Sequence, residues 1–429
     1  MRRLHTAFYA SVVLLFGPVV TRADVVLDWN AIMQTTVAGQ AFPSARFAAI
    51  TQLAVFEAVN AITRDYKPYL GTITVIAPAG ASAEAAAVAA AHAVLKNYFP
   101  GAAAILDAAR ASSLATIPES VAKDAGIAVG ETAGTAMIAA RTTDGSETPE
   151  FYLPPLPSPG AWQQTPSCPA GGGTFLHWRN VKPFGIRSSD QFRLDEPPSF
   201  TSARYRRDYN EVKEVGGANS TERSQDRADV ARFYGATNPV AVWNSVARQL
   251  SVAQGNSLSE NARALALLNM AMSDAAVATF DTKYHYKFWR PETAIRFGDT
   301  DGNDRTDPDP AYVPYVTAPC FPSYPSAHAT LSNAAREVLE RIYTNRHHSM
   351  TLSNAAVPGV TLNYTKLKQI TEDIDDARVY GGIHFRFEQE AGADMGRRVG
   401  AFIYKQYLGN VHGCNCEPST ETENRRSRP

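Results

Sequence analysis

The chain has 429 residues, with 41 Lys and Arg against 42 Asp and Glu and a formal net charge of −1. This length suits one large domain or two ordinary ones, and 45% hydrophobic residues allow a sizeable buried core. The balanced charge lacks the basic footprint of a nucleic-acid-binding protein, so we expect no nucleic-acid partner.

The N-terminus has the pattern of a secretory signal. Arg2 and Arg3 precede a largely apolar run over residues 4–20, and small residues at Thr21 and Ala23 suit a signal peptidase. An uncleaved membrane anchor is the alternative, but the apolar run is too short and too interrupted to span a membrane comfortably. We therefore expect a signal peptide over 1–23, a secreted or periplasmic protein, and no membrane span in the mature chain.

Hydrophobic periodicity divides the rest of the chain. Apolar residues recur close to every 3.6 positions over most of 24–141 and again from about 222 to 409, where 259–278 predicts a strong helix capped by Ser259. Residues 142–200 are rich in Pro and Gly and lose this period. Without convincing strands, we predict an all-α fold. Its parts are a helical region over 24–200, a C-terminal helical domain over 201–412 and a polar tail over 413–429.

The four cysteines are Cys168, Cys320, Cys414 and Cys416. In an oxidising compartment an even number permits two disulfides with three possible connectivities, and free thiols are the alternative. A metal site at Cys414-x-Cys416 has weak support, because no second Cys or His pair stands at zinc-site spacing.

The first chemistry-bearing motif runs from Lys283 to Pro291. Lys283 and Arg290 lie seven residues apart, which is two helical turns, so we expect both cations on one helix face that ends at Pro291. Taken alone, the motif also fits a solvated basic face near a helix end.

The second motif covers residues 321–330 and contains two prolines, the second at Pro325. An apolar-periodic helix follows, so Ser326, Ala327 and His328 are expected at a helix start, where free N–H groups and the helix dipole favour an anion. An ordinary serine cap followed by a surface histidine is the alternative.

The third motif places Arg378 and His384 on either side of Gly381 and Gly382, which permit close backbone approach, and a helix is expected over 390–407. Alone it could be a turn between helices. Together the motifs supply three cations, a hydroxyl, helix-start amides and two histidines, which suit a cage for a tetrahedral oxyanion. The cage residues are Lys283, Arg290, Ser326, Ala327, His328, Arg378 and His384.

The pattern K-x6-R-P, P-S-x-H and R-x5-H resembles the signature shared by vanadium-dependent haloperoxidases and the type-2 phosphatidic acid phosphatase superfamily of acid phosphatases. The strings at 288–291, 321–330 and 380–388 resemble the haloperoxidase branch more than the phosphatase branch. The resemblance implies two four-helix-bundle-like units, with the cage in the C-terminal unit, and vanadate as cofactor. Phe321 stands where chloroperoxidase-like members tend to have Phe, but one position does not settle the halide.

Residue by residue, the resemblance implies that His384 is the vanadium ligand or, in a phosphatase, the nucleophile, and that His328 is the acid–base residue. Lys283, Arg290 and Arg378 would neutralise the oxyanion, joined by Ser326 and the backbone N–H of Ala327. The reaction implied is oxidation of a halide by hydrogen peroxide to hypohalous acid, which reacts with a small organic acceptor; Lys283 would polarise the peroxide. The alternatives are a secreted acid phosphatase acting on a phosphoester without vanadate, and a helical scaffold without activity.

Three positions depart from the usual family pattern. Ala327 stands where Gly is usual, Ala377 where Ser is usual, and Glu388 where Asp is usual four residues after the histidine. None of the three changes removes a residue expected to contact the oxyanion.

Overall fold

The structure is a computed structural model that describes residues 24–71, 77–344 and 347–411. The expected signal peptide, the expected polar tail, Cys414 and Cys416 lie outside these residues.

Within the described residues the chain forms α-helices and one antiparallel pair of strands. The helices are α1 (Val25–Thr36), α2 (Pro43–Thr63), α3 (Ala83–Tyr98), α4 (Ala103–Ala115), α5 (Val121–Arg141), α6 (Ala203–Val215), α7 (Gln225–Gly235), α8 (Pro239–Gln254), α9 (Leu258–Tyr286), α10 (Pro291–Arg296), α11 (Ala327–Tyr343), α12 (Leu367–Tyr380) and α13 (Arg386–Gln406). The strands are β1 (Met350–Ser353) and β2 (Thr361–Tyr364). The all-α prediction is confirmed. The sequence missed the hairpin because strands of four residues are too short to establish an alternating pattern.

Two predicted helix starts were wrong. Ser257, and not Ser259, caps α9, because Ser257 and Glu260 form a reciprocal capping box. This helix runs on to Tyr286, eight residues beyond the expected end at 278. Helix α13 begins at Arg386 and not at 390, since the Glu388 side chain bonds the backbone N–H of Phe385 at its start.

Helix α9 is the centre of the fold. Its residues are buried from Asn261 almost without break to Tyr284, and α2, α11 and α13 pack against it. Among the described residues, α2 is the one helix long and apolar enough to cross a membrane, and 83% of its apolar window is buried inside the protein. In this structure α2 is therefore a core helix.

Glycines spaced four residues apart bring α13 against α11. A Cβ at Gly396 would lie 2.3 Å from the Thr330 carbonyl oxygen, and Gly392 and Gly400 face the Ser326 and Ala334 carbonyls in the same way. These backbones can approach this closely only because the glycines have no side chain. The start of α11 is thereby fixed against the helix that follows His384.

The Pro- and Gly-rich segment 142–200 wraps the outside of α9. The carboxylate of buried Asp274 accepts hydrogen bonds from the backbone N–H groups of Phe184, Gly185 and Ile186. A disulfide joins Cys168 to Cys320, one residue before Phe321. This bond answers part of the disulfide question left open by the sequence, and it ties the wrapping segment to the second motif.

Candidate active site

Lys283 and Arg290 both lie in the core, with side chains 0% exposed. They do not share a helix face, so that expectation was wrong. Helix α9 ends at Tyr286, Lys287 takes a left-handed conformation (φ 52°), and Arg290 becomes the N-cap residue of α10. The turn at Lys287, rather than helical periodicity, brings the two cations together.

Backbone carbonyls hold Lys283 in place. Its Nζ donates to the carbonyl oxygens of Pro322 (2.8 Å) and Ser323 (2.6 Å) and lies 5.2 Å from the centre of the Phe321 ring. An ammonium has three N–H donors, so one remains for a ligand.

The two arginines are also anchored by carbonyl oxygens. Arg290 donates from Nε to Phe321 O and from Nη1 to Ile383 O, both at 3.0 Å, while Arg378 Nη1 donates to Tyr234 O at 3.2 Å. Arg290 Nη2 and Arg378 Nε are buried and have no hydrogen-bond partner among the described residues. Buried donors of this kind are costly unless a ligand satisfies them.

Ser326 is the N-cap residue of α11, and its Oγ accepts from Ala329 N at 3.4 Å. This confirms that Ser326, Ala327 and His328 lie at a helix start. The first N–H groups of a helix lack intrahelical partners and are available to an anion. The His328 ring is half-buried and hydrogen-bonds to the backbone of Thr237.

His384 is oriented by a carboxylate and a hydroxyl. Its Nδ1 lies 2.6 Å from Glu388 Oε2 and 3.3 Å from Ser323 Oγ, and the Ser323 hydroxyl donates to the same carboxylate oxygen at 2.8 Å. This network assigns the proton to Nδ1. Nε2 carries the lone pair and accepts from Arg290 Nη1 at 3.0 Å.

The charges of the site do not cancel. Burial, and then repulsion from Arg290, holds the pKa of Lys283 well below its usual range, and the same two causes lower the pKa of Arg378. Burial and the nearby cations likewise hold both histidines neutral, with pKa values well below the usual range for His328 and His384. Burial raises the pKa of Glu388, the single carboxylate that contacts His384 among the described residues, to about 7. The cage therefore has more positive charge than the described protein groups neutralise.

Of the seven cage residues only His328 is partly exposed, and we call its side the entrance of the cage. A cavity of about 100 Å³ touches His328 and Leu331 on α11 and is otherwise lined by the α1–α2 connection and the start of α8. On the other sides Trp289 and Phe385 are 1% and 0% exposed and belong to one aromatic cluster. Because Trp289 precedes Arg290 and Phe385 follows His384 in the chain, this buried cluster lies next to the cage.

All seven sequence-predicted site residues thus meet at one place, where α9, α10, α11 and the α12–α13 turn converge. Sequence reasoning missed Ser323, Tyr234 and Thr237. Ser323 stands between the prolines of the second motif, so its hydroxyl could have been recognised in the sequence as a candidate site group. Tyr234 and Thr237 act through backbone atoms, which leave no signature in the sequence.

Comparison with known proteins agrees with this geometry. Residues 263–413 match the family described as the VCPO second helical-bundle domain. The chain is 30% identical over 203 residues to a vanadium chloroperoxidase from Curvularia inaequalis, and the match spans 32% of that protein's length.

Two solved structures have the same fold. The first bacterial vanadium-dependent iodoperoxidase has a TM-score of 0.75 at 24% identity, covering 89% of this chain and 95% of that one. A holo-type bacterial vanadium-dependent chloroperoxidase has a TM-score of 0.64 at 17% identity, covering 91% of this chain and 93% of that one.

The fold of this protein is that of the solved vanadium-dependent haloperoxidases. Its residues 263–413, which contain all three motifs, match the VCPO second helical-bundle domain.

Proposed function

We propose that the protein is a vanadate-dependent haloperoxidase that uses hydrogen peroxide to oxidise a halide to hypohalous acid. The observation that carries the proposal is the set of three buried cations around the unprotonated Nε2 of His384, with unsatisfied N–H groups on Arg290 and Arg378. The relatives named as vanadium chloroperoxidase and iodoperoxidase support the hypothesis of a peroxidase over that of a phosphatase.

The residues present fit vanadate. A tetrahedral oxyanion would satisfy the orphaned donors of Arg290 and Arg378 and the third N–H of Lys283, and its charge would offset that of the cations. Ser326 and the backbone N–H of Ala327 would join them at the start of α11. His384 Nε2 would be the single protein ligand to vanadium.

When bound, vanadate would supply a Lewis acid that activates hydrogen peroxide. The protein's part is to hold the anion and to transfer protons. Glu388 and Ser323 would keep the proton of His384 on Nδ1, so that Nε2 stays a ligand. His328, neutral and open to the small cavity, would accept a proton from incoming peroxide and return it to the departing oxygen. Lys283 would polarise the peroxide through its free N–H.

The same His384–Glu388 pair favours a second candidate, an acid phosphatase. A histidine whose Nδ1 donates to a carboxylate presents Nε2 as a nucleophile, and a phosphoester has the shape and charge that the cage accepts. This reaction would need no vanadate.

One titration separates the two functions. Protein freed of bound anions is titrated with orthovanadate while peroxide-dependent halogenation of a phenolic dye is measured. Halogenation that requires vanadate and is blocked by phosphate is the expected result. Hydrolysis of an aryl phosphate that vanadate inhibits, without halogenation, would replace the first function with the second.

Substitution tests the site assignment. His384→Ala should abolish either activity, whereas His285→Ala, at an exposed position on α9, should retain it. A fully active His384→Ala protein would refute the assignment.

We also propose that the protein works outside the cytoplasm. The expected signal sequence over 1–23 supports this, and so does the Cys168–Cys320 disulfide, since such bonds persist in oxidising compartments. The division at about residue 200 into two helical regions likewise stays a proposal.

A further inference from the structure

A larger cavity of about 520 Å³ lies beside the start of α8. Its walls come from the end of α1 and the residues after it, the end of α7, the first turns of α8, and β1 with the residues that follow. Its size falls within the range of about 300–1,000 Å³ that is typical of small-molecule sites. The oxyanion cage does not use it.

This cavity lies next to the entrance of the cage. It shares Asn238 and Val240 with the small cavity that contains His328. The connection between α1 and α2 borders both, with Ala38 on the larger cavity and Ala41 on the smaller one. Thr237 also lines the larger cavity while its backbone bonds the His328 ring. The two cavities therefore share a rim, and a ligand in the larger cavity lies beside the opening that contains the acid–base residue.

The lining of the larger cavity selects against charge. None of the described residues that line it is Asp, Glu, Lys, Arg or His. Burying an unpaired ion against such a wall is costly, so a neutral occupant is favoured over an anion or a cation. This distinguishes the cavity from the cationic cage beside it.

The remaining wall residues suit an aromatic ring with a hydroxyl group. Ala38, Ala236 and Ala241 supply accessible apolar surface, above the buried side chains of Phe233 and Leu352. Ser245 and Ser353 also line the cavity, at a partly exposed and an exposed position, and their hydroxyl groups can bond a ligand hydroxyl. Part of the polar wall is fixed by an internal bond, since Asn354 Nδ2 donates to Thr237 Oγ1 at 2.6 Å.

We propose that this cavity binds the organic acceptor of the reaction, a neutral phenol, and holds it beside the entrance to the cage. The inference rests on the proposed haloperoxidase function. Hypohalous acid leaving past His328 would meet the bound phenol. A ring carbon ortho or para to the hydroxyl attacks the halogen, the carbon–halogen bond forms as the halogen–oxygen bond breaks, and the hydroxide released combines with the ring proton as water.

Direct binding tests the cavity without any turnover. Calorimetry on the full chain would compare 4-methylphenol with the anion 4-hydroxybenzoate, both without vanadate. Ala241→Phe should fill the cavity, since Ala241 lines it on α8. Val252→Phe, on an exposed position two turns or more along the same helix, is the matched control.

We expect saturable binding of 4-methylphenol, at least tenfold weaker binding of 4-hydroxybenzoate, and at least a tenfold loss of 4-methylphenol affinity in Ala241→Phe but not in Val252→Phe. Ser245→Leu, one turn further on the same helix face, should repeat the loss if Ala241→Phe does not fold. Equal affinity for the neutral and anionic probes, or unchanged affinity in the filled variants, would overturn the cavity assignment.

The two proposals fail separately. Saturable phenol binding without any vanadate-dependent halogenation would refute the proposed function and leave the cavity as a phenol site. Halogenation whose rate rises linearly with 4-methylphenol, without saturation, would overturn the acceptor site and leave the haloperoxidase function standing.

Discussion

Replacing Lys283 by Met should separate the stability of the empty cage from its affinity for an oxyanion. Met has nearly the same length and no charge. The substitution leaves the carbonyls of Pro322 and Ser323 without their donor, which costs about 1–3 kcal/mol each. It also removes a buried ammonium that repels Arg290 and Arg378, and this offsets the loss. We therefore expect the unliganded variant to fold with a modest change in stability.

Affinity should change much more. The third N–H of Lys283 is the donor left for an anion, and one hydrogen bond to a charged group contributes about 1.5–3 kcal/mol, or roughly 10- to 150-fold in the dissociation constant. With orthovanadate at about 100 times the wild-type dissociation constant, the wild-type protein gains about 2.7 kcal/mol of stability. A variant that binds about 100-fold more weakly gains only about 0.4 kcal/mol at the same concentration.

Calorimetric titration and unfolding with and without orthovanadate would measure both quantities. Lys405→Met, at an exposed position in the last turn of α13, is the control for the loss of one lysine charge and should keep the wild-type response. If Lys283→Met bound orthovanadate as tightly as the wild-type protein, Lys283 would have no part in holding the anion.

Three further outcomes follow from the same geometry. Burial and Arg290 lower the pKa of Lys283, so this residue loses its proton at a lower pH than an ordinary lysine. Affinity for sulfate, which does not titrate near neutrality, should therefore fall as pH rises from about 7 to 10, and a flat calorimetric profile would contradict this. Ser323→Ala removes the hydroxyl that bonds Glu388 and should weaken orthovanadate binding about fivefold, because a net hydrogen bond contributes about 1 kcal/mol. Ser332→Ala is the control and should leave orthovanadate binding unchanged, since the buried Ser332 hydroxyl has no partner among the described residues. Gly396→Ala should lower the free energy of unfolding in urea by about 1–3 kcal/mol through overpacking against α11. Gly409→Ala, where a Cβ would meet open space, should change that free energy little. An unchanged free energy in Gly396→Ala would mean that α11 can shift freely.

The sequence identified the cage residues because their side chains do chemistry at fixed spacing. Ser326 and His328 could also be assigned to a helix start, since Pro325 prevents a helix before them and an apolar period follows. The glycine spacing of α13 was also present in the sequence, but only the structure gave it a partner in α11.

What the sequence could not supply depends on long-range backbone contacts. The carbonyl oxygens that hold Lys283, Arg290 and Arg378 belong to residues 31 to 144 positions away, and any residue type carries a carbonyl. The left-handed turn at Lys287 was equally hidden, because it occurs at a lysine and not at a glycine. For this reason helical periodicity wrongly placed Lys283 and Arg290 on one helix face, although both residues do lie in the site.

The use of carbonyls as anchors decides what the cage can bind. A carbonyl oxygen fixes the geometry of a cation without cancelling its charge, whereas a carboxylate would do both. Among the described contacts, Lys283, Arg290 and Arg378 are each held by carbonyl oxygens, and the carboxylate of Glu388 bonds His384 instead. The positive charge therefore stays available inside a buried site, where electrostatic interactions are strong. Such a site should favour a multiply charged oxyanion over a neutral ligand of the same shape, and the uncharged cavity beside it should have the opposite preference.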